Sequence, residues 1–286
     1  MSSIETLRVA QQLGSACVEP NALEHARWND DAWTKAWPKR EALTDSVTSV
    51  LLDALELQPG ERLLDVGCGG GKATMAALGR VQPGGSVVGA DISGQLLSLA
   101  ARRASGIGGV TWQRADMQVD RIAGDPFDVA MSQFGVMFFD EPVAAFANVA
   151  SHLLPAGRLA FACWQTMDRN PWFVGHVLAP FIAAPPPPGP GKSPSGPFTL
   201  GEADRVRQIL ADAGFGEVHI DQREHEVDVP RSAVVDDAQL AFMGVSAEAM
   251  GDARVAVAST LARFAIDGEL HRFPLAFQIV TARRQG

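Results

Sequence analysis

The 286-residue chain is long enough for one large domain, or for a catalytic domain with a small appendage. Hydrophobic residues make up 47% of it and charged residues 20%, which excludes an intrinsically disordered or fibrous chain. The formal net charge of -9, without any clustered basic tract, argues against a nucleic-acid partner.

The three cysteines are too few and too scattered for a disulfide framework, and they form no C-x-x-C pair that would indicate a metal or redox site. The sequence begins with neither the basic nor the apolar segment of a secretion signal, and no apolar run approaches the roughly 18 residues that cross a membrane. We therefore predict a cytoplasmic protein with no metal and no membrane span. The sequence does not indicate an oligomeric state.

Residues 1–58 are predicted to form an N-terminal helical cap. Within it, apolar residues recur with a period near 3.6 over 39–57, as in a helix with one buried face. Pro59 and Gly60 end this helix.

Short apolar strands then alternate with helical patterns over residues 59–165. Strands are predicted at 62–66, 86–90, 110–112, 127–131 and 158–164, and helices at 72–78, 94–104 and 142–154. This alternation is typical of a doubly wound α/β core, with a mostly parallel sheet that has helices on both faces.

The alternation stops after Trp164. Residues 185–197 are rich in proline, so we predict that 166–200 holds an exposed connector, and two interpretations stay open: a plain surface excursion, or a lid over the active site. Residues 201–286 are predicted to complete the core sheet, with a helix at 201–214, strands at 217–221 and 275–280, and a helical insertion at 233–266.

A glycine-rich turn follows the first predicted strand and contains Asp65, Gly67, Gly69 and Gly71, while Asp91 ends the second strand. Glycines at this turn let the backbone approach a ligand closely, and an acid at the second strand tip can accept hydrogen bonds from ribose hydroxyls. The turn does not match a dinucleotide fingerprint, because Lys72 occupies the position of its third glycine, and it does not match a phosphate-binding P-loop. Taken singly, the turn could be a simple Gly-rich bend, and Asp91 could be a helix N-cap.

The D-x-G-x-G-x-G pattern is accompanied by four further motifs in chain order: Val88-Gly89-Ala90-Asp91-Ile92-Ser93, Arg114-Ala115-Asp116-Met117, Phe127-Asp128-Val129-Ala130-Met131-Ser132, and Leu153-Leu154-Pro155-Ala156-Gly157-Arg158-Leu159. Together they resemble the class I S-adenosylmethionine-dependent methyltransferases over about residues 45–165, and within them the type 11 branch similar to ubiquinone and menaquinone biosynthesis enzymes. Ala156 departs from the glycine of the family's last motif. The resemblance implies a Rossmann-like, seven-stranded sheet with an antiparallel last strand.

The resemblance also implies how S-adenosylmethionine is bound. The three glycines shape the bed for the methionine part, Asp65 braces that turn and reaches the ammonium, and Asp91 accepts from the ribose. Asp116 accepts from the adenine amino group, and the remaining implied contacts come from Ile92, Ala115, Met117, Ser132 and Gln133.

The N-terminal segment contains Trp28, Trp33 and Trp37, and the last two are four residues apart on one helical face. Such a stripe can simply be core. The resemblance implies an N-terminal helix over the cofactor, so Trp28 and Trp33 are predicted to close over its methionine end.

The predicted function is methyl transfer from S-adenosylmethionine to a small, apolar or aromatic molecule, leaving S-adenosylhomocysteine. If the acceptor needs a general base, His176 is the candidate because it follows the fifth core strand, although it can equally be a packed or solvated histidine. The alternatives are a non-catalytic cofactor-binding protein and a macromolecule methyltransferase. A nicotinamide oxidoreductase would share the fold, but Lys72 opposes it.

Overall fold

The computed structural model describes residues 21–182, 196–231 and 236–286, without the side chains of Ala22, Leu23, Ala32, Trp33 and Ala42. Most of the proline-rich segment therefore lies outside the described residues, and so does the Trp33 side chain.

One seven-stranded sheet forms the centre of the molecule. Its strands run in the order β3-β2-β1-β4-β5-β7-β6. Their bounds are β1 (Arg62–Val66), β2 (Ser86–Asp91), β3 (Val110–Arg114), β4 (Phe127–Gln133), β5 (Leu153–Trp164), β6 (Phe215–Pro230) and β7 (Leu270–Arg284). The first five strands are parallel, whereas β7 is antiparallel to both β5 and β6. The predicted Rossmann-like α/β fold with an antiparallel last strand is confirmed.

Helices surround this sheet and bury its apolar strands. They are α1 (Ala22–Trp28), α2 (Asp31–Glu41), α3 (Asp45–Leu55), α4 (Lys72–Val81), α5 (Gly94–Arg103), α6 (Pro142–His152), α7 (Gly175–Leu178), α8 (Ala203–Asp212), α9 (Asp237–Phe242) and α10 (Met250–Leu261). Strands β1, β2 and β4 are buried along almost their whole length, as their continuous apolar runs predict for strands covered on both faces.

The helical prediction for 233–266 is wrong in its continuity, because α9 and α10 are separate. Gly244 follows α9 with φ of +96°, and the Val245 N–H donates to the Leu240 carbonyl at 2.9 Å. This is a Schellman ending, which a glycine in the left-handed region permits. The helix predicted at 39–57 is likewise divided, by a 3₁₀ turn at Ala42–Thr44.

The last two strands are much longer than predicted. They pair antiparallel from Phe215 and Arg284 out to Pro230 and Leu270. Much of the β6 extension is exposed and polar, so no apolar run indicated it. This extension carries the paired strands β6 and β7 past the carboxyl end of β5, toward the functional site.

None of the helices in the described ranges is long and apolar enough to span a membrane.

Candidate functional site

A cavity of about 410 Å³ opens at the carboxyl ends of β1, β2 and β4, at the place where the strand order reverses. Ligands of open α/β sheets bind at such a switch point. Most of the predicted cofactor residues line it: Asp65, Gly67, Gly69, Asp91, Ile92, Ala115, Asp116, Met117, Gln133 and Trp28.

The glycine hinge, residues 67–71, has left-handed backbone at Gly67, Gly69 and Gly71, with φ of +70°, +54° and +79°. A Cβ on Gly67 would lie 2.9 Å from the Gly135 Cα, and one on Gly69 would lie 2.6 Å from Cζ2 of Trp37. Only glycine combines this conformation with such close approach. Gly71 has a different role, because it does not line the cavity. A Cβ on Gly71 would lie 2.6 Å from the Trp112 ring.

Asp65 lies at the end of β1 and is almost fully buried. Its Oδ2 accepts a 2.6 Å hydrogen bond from the Thr74 hydroxyl of α4. The pKa of this carboxyl is raised to about 7, mainly by burial; the Thr74 hydrogen bond opposes the rise, and the negative charge of Asp91 adds to it. A buried carboxyl of this kind gains stability from a cation placed beside it.

Asp91 holds the hinge to the second strand. Its Oδ2 accepts from the Gly69 N–H at 2.8 Å, and its Oδ1 accepts from the Ser93 N–H at 2.7 Å. The N-cap of α5 is Ser93, whose hydroxyl accepts from the Leu96 N–H, so Asp91 is not the cap of this helix. Burial raises the Asp91 pKa, and the backbone hydrogen bonds oppose that rise.

Asp116 follows β3 and is only 2% exposed. Its Oδ1 accepts from the Asn21 amide at 3.1 Å and from the Gln118 N–H at 2.9 Å. Its Oδ2 has no hydrogen-bond partner in the described structure, and the nearest cationic candidate is Nε2 of His25 at 3.5 Å. A buried carboxylate oxygen without a donor fits a ligand that supplies an N–H, as an exocyclic amino group does.

Ala115, Met117 and Ile92 complete this part of the cavity with apolar surface, and the Met117 carbonyl is occupied by the Asn148 amide. Ser132 is fully buried and does not line the cavity; its hydroxyl donates to the Val66 carbonyl and accepts from the Gly135 N–H. Ser132 therefore has a structural role, because its hydroxyl joins the ends of β1 and β4.

Gln133 does line the cavity, and it also fastens the cap. Its carbonyl oxygen accepts from the Thr48 hydroxyl at 2.8 Å, while its amide donates to Thr44. The β4 tip is thus tied to the start of α3.

The N-terminal helices cover the glycine hinge. Trp28 lines the cavity, as does Trp37, whose ring lies against Gly69 and packs edge-on to Trp28 with the centroids 6.0 Å apart. Glu41 pairs with Arg103 at 2.7 Å, and the same guanidinium nitrogen donates to the Gly70 carbonyl. Trp37 was part of the sequence stripe but was not predicted as a site residue; its ring occupies the space that the hinge glycines leave.

The structure does not bring His176 to this cavity. It lies on the four-residue helix α7 with its side chain exposed, and it is not a lining residue. Chain order after β5 was the reason for choosing it, but α7 turns that residue outward, so the geometry gives no support to a base at this position.

The far half of the cavity was missed by sequence reasoning. Its walls are aromatic and aliphatic and come from the β4 and β5 ends, the segment before α7, and the extended parts of β6 and β7: Phe134, Trp164, Trp172, Val227, Phe273 and Leu275. Phe134 stacks on Trp164 at 4.1 Å. The alternation Val227-Asp228-Val229 was the available signal for the wall that β6 supplies.

The near half fits S-adenosylmethionine group by group. The buried Asp65 suits its ammonium, Asp91 at the second strand tip suits ribose hydroxyls, and the unpartnered oxygen of Asp116 suits the adenine amino group. The glycine hinge leaves the backbone accessible between them.

Comparisons with known proteins indicate the same family. A family model described as a methyltransferase domain matches residues 63–157. Nocamycin O-methyltransferase from Saccharothrix syringae is 32% identical over 192 residues, covering 63% of this chain and 68% of that protein. Aklanonic acid methyltransferase DauC from Streptomyces sp. (strain C5) is 33% identical over 113 residues, which cover 39% of this chain and 51% of that protein. The chain spans about half the length of the latter.

The crystal structure of the YcgJ protein from Bacillus subtilis superposes with a TM-score of 0.59 at 14% identity, covering 84% of this chain and 99% of that one. This likeness concerns the fold. Placement in the type 11 branch stays a prediction, whereas the broader family and its cofactor, S-adenosylmethionine, are confirmed. The chain belongs to the class I S-adenosylmethionine-dependent methyltransferases.

Proposed function

We propose that this protein transfers the methyl group of S-adenosylmethionine to a small acceptor with an apolar, aromatic framework. The observation that carries the proposal is the continuity of the cavity: the carboxylates and glycines of the cofactor half open directly onto the aromatic wall around Phe134 and Trp164. A ligand bound against this aromatic wall would lie beside the cofactor in the same cavity, with no bulk water between them.

The relatives support this choice. Nocamycin and aklanonic acid, named in the two methyltransferases above, are small molecules and not macromolecules. The acidic net charge of this chain agrees with such an acceptor and disfavours a polyanionic one.

The cofactor supplies an activated methyl group on a sulfonium, so the protein's task is alignment and exclusion of water. Asp65, Asp91 and Asp116 fix three separate points of the nucleoside and its amino-acid chain. Trp28 and Trp37 shield the hinge, and the far aromatic wall orients the acceptor.

Replacing Asp91 by alanine tests the cofactor half. Loss of two hydrogen bonds between a carboxylate and ribose hydroxyls corresponds to about 3 kcal/mol, so we expect the dissociation constant for S-adenosylmethionine to rise ~100-fold in isothermal titration calorimetry. Asp91→Asn, which keeps one acceptor oxygen for the Gly69 N–H, should fall between wild type and Asp91→Ala.

Asp204→Ala is the matched control, because Asp204 is exposed on α8 and pairs only with Arg207 among the ion pairs of the described residues. It should bind the cofactor like wild type.

Methyl transfer itself is tested by incubating the protein with methyl-labelled cofactor and a pool of apolar aromatic metabolites. A wild-type protein that does not bind the cofactor, or binds it and labels nothing, would contradict the proposal.

A further inference from the structure

The aromatic half of the cavity is a row of rings in contact with one another. Phe134 stacks on Trp164 with the centroids 4.1 Å apart, and Trp164 meets Trp172 edge-on at 5.2 Å. All three rings line the cavity. The first two belong to strand ends, since Phe134 directly follows β4 and Trp164 ends β5. Trp172 lies between β5 and α7, outside the strands of the sheet, so its position needs another support.

Asn170 holds this segment to β7, and its side chain is fully buried. Its Nδ2 donates to the Ala276 carbonyl at 2.8 Å, and its Oδ1 accepts from the Ala276 N–H at 3.0 Å. Ala276 lies one residue beyond the last β5–β7 pair, Trp164 with Phe277, so the Asn170 amide takes the place of a neighbouring strand. Because a buried peptide group without a partner is costly, this pairing fixes the Asn170 side chain.

The same amide also holds the indole of Trp172, whose Nε1–H donates to Oδ1 of Asn170 at 3.0 Å. A carbonyl oxygen has two lone pairs, so Oδ1 can accept from Ala276 and from the indole together. The polar edge of Trp172 is thereby tied to the sheet, while its ring lines the cavity. Asn170 is not among the described lining residues, so it acts on a ligand only through the residues that it holds.

Building on the proposed function, we propose that Asn170 is a positioning residue for the methyl acceptor: it fixes the indole of Trp172, and this ring aligns a planar aromatic acceptor with the methyl group of the cofactor.

A ring that aligns the acceptor acts mainly on the transition state, because methyl transfer requires the acceptor atom, the methyl carbon and the sulfur to lie in line. Without Asn170 the indole of Trp172 is free to rotate, and the acceptor can bind in several orientations. The loss should therefore lower kcat more than it raises KM. A purely structural role would lower the stability and leave the kcat of the folded protein unchanged.

Gln165 provides the comparison for a purely structural role. It is 5% exposed, and its Nε2 donates to the carbonyls of Phe277 and Arg223 at 2.9 and 3.0 Å. Neither of these two residues lines the described cavity. Gln165 is thus a buried amide bonded to the same strands, without a hydrogen bond to the aromatic wall in the described structure.

The first test observes the indole directly. The chain contains six tryptophans, and the Trp172→Phe variant identifies the Trp172 signal among the indole resonances of a nitrogen–proton NMR spectrum. We expect this N–H to exchange slowly with deuterium in wild type, and at least ~10-fold faster in Asn170→Ala, because its buried acceptor is lost. Rapid exchange in wild type, or an unchanged signal in Asn170→Ala, would overturn the inference.

The second test measures methyl transfer to 2-naphthol, a planar aromatic probe with a hydroxyl group, in a double-mutant cycle. Asn170→Ala and Trp172→Phe should each lower kcat ~10-fold with a smaller change in KM, and the double variant should be about as slow as either single variant. Independent roles would multiply the two losses to ~100-fold, and that result would contradict positioning through the indole.

Gln165→Ala is the matched control. Its melting temperature should fall, as that of Asn170→Ala should, but its Trp172 signal and its kcat should stay those of wild type. A kcat loss in Gln165→Ala equal to that in Asn170→Ala would mean that general stability sets the rate, and the inference would fail.

Asn170→Asp is the conservative companion variant. It keeps an oxygen that accepts from the Trp172 indole and loses the donor to the Ala276 carbonyl, so it should lower the stability yet keep kcat within ~3-fold of wild type. Should Asn170→Ala fail to fold, the exchange rate of the wild-type indole and the kcat of Trp172→Phe decide the matter, since rapid exchange or an unchanged kcat would each overturn the inference.

These outcomes are separable from failure of the proposed function. If wild type binds S-adenosylmethionine and labels other members of the aromatic pool but does not methylate 2-naphthol, the methyltransferase proposal stands and the alignment inference fails. If wild type does not bind the cofactor, the proposed function fails first.

Discussion

Replacing Asp65 by asparagine is expected to stabilise the cofactor-free protein at pH 8 and to weaken cofactor binding. Asp65 is buried, and its folded-state pKa is about 7 instead of 3.8. The folded protein therefore binds the proton of Asp65 more tightly than the unfolded chain does. Between pH 4 and 7 the unfolded state has fewer protons bound, so the stability that this group contributes falls as pH rises and levels off above 7.

A shift of about three units corresponds to about 4 kcal/mol of unfolding free energy at pH 8. Asparagine carries no titrating proton, and its amide oxygen can still accept from the Thr74 hydroxyl. Urea denaturation from pH 4.5 to 8.5 should thus show a smaller decline for Asp65→Asn than for wild type. Some decline should persist, because the pKa of Asp91 is also raised.

Thr74→Val is the informative companion variant. Loss of the Thr74 hydroxyl removes a bond that lowers the Asp65 pKa, so the pH at which stability levels off should move upward. Cofactor affinity should fall in Asp65→Asn at pH 8, since a buried carboxylate beside an ammonium is lost. Identical pH slopes in wild type and Asp65→Asn would contradict the assignment of this titration to Asp65.

Most residues predicted to bind the cofactor line one cavity, because the patterns that encode them are local. A buried apolar strand, a glycine turn and an acid at the next strand tip are contiguous in the chain, and parallel strands bring their carboxyl ends to one edge. Asp65 and Asp91 were singled out by these local patterns and Asp116 by the family resemblance, and the structure places all three on one cavity.

The far, aromatic half of the cavity depends on contacts between residues far apart in sequence. Val227 and Phe273 reach the cavity only because strands β6 and β7 extend together beyond the end of β5. No local sequence pattern predicts such a long-range contact. His176 shows the converse error, since nearness in chain order to β5 did not place it in the cavity.

The close approach of Gly67 and Gly135 is expected to make the stability and the cofactor binding of the protein sensitive to alanine at these positions. Gly67 directly follows β1, and Gly135 lies two residues after β4. Their backbones approach so closely that a Cβ on Gly67 would lie 2.9 Å from the Gly135 Cα, and a Cβ on Gly135 would lie 2.8 Å from the Val66 carbonyl oxygen. Two neighbouring strand tips therefore touch directly at the floor of the cavity.

Three alanine variants separate the two reasons for glycine here. Gly60→Ala introduces left-handed strain alone, since Gly60 has φ of +91° and nothing lies within 4 Å of its missing Cβ. Gly135→Ala introduces overlap alone, because Gly135 has φ of -79°. Gly67→Ala introduces both.

We expect Gly60→Ala to lose about 1 kcal/mol of unfolding free energy, from the left-handed conformation alone. Gly67→Ala should lose about 3 kcal/mol or more, because the backbone overlap adds to that strain. Calorimetric titration should show weakened cofactor binding in Gly67→Ala and Gly135→Ala but not in Gly60→Ala, since only the first two move the strand tips apart beneath the ligand. If Gly67→Ala proved as stable as Gly60→Ala and bound the cofactor normally, the tips could separate without consequence, and the close approach would not be what shapes the bed.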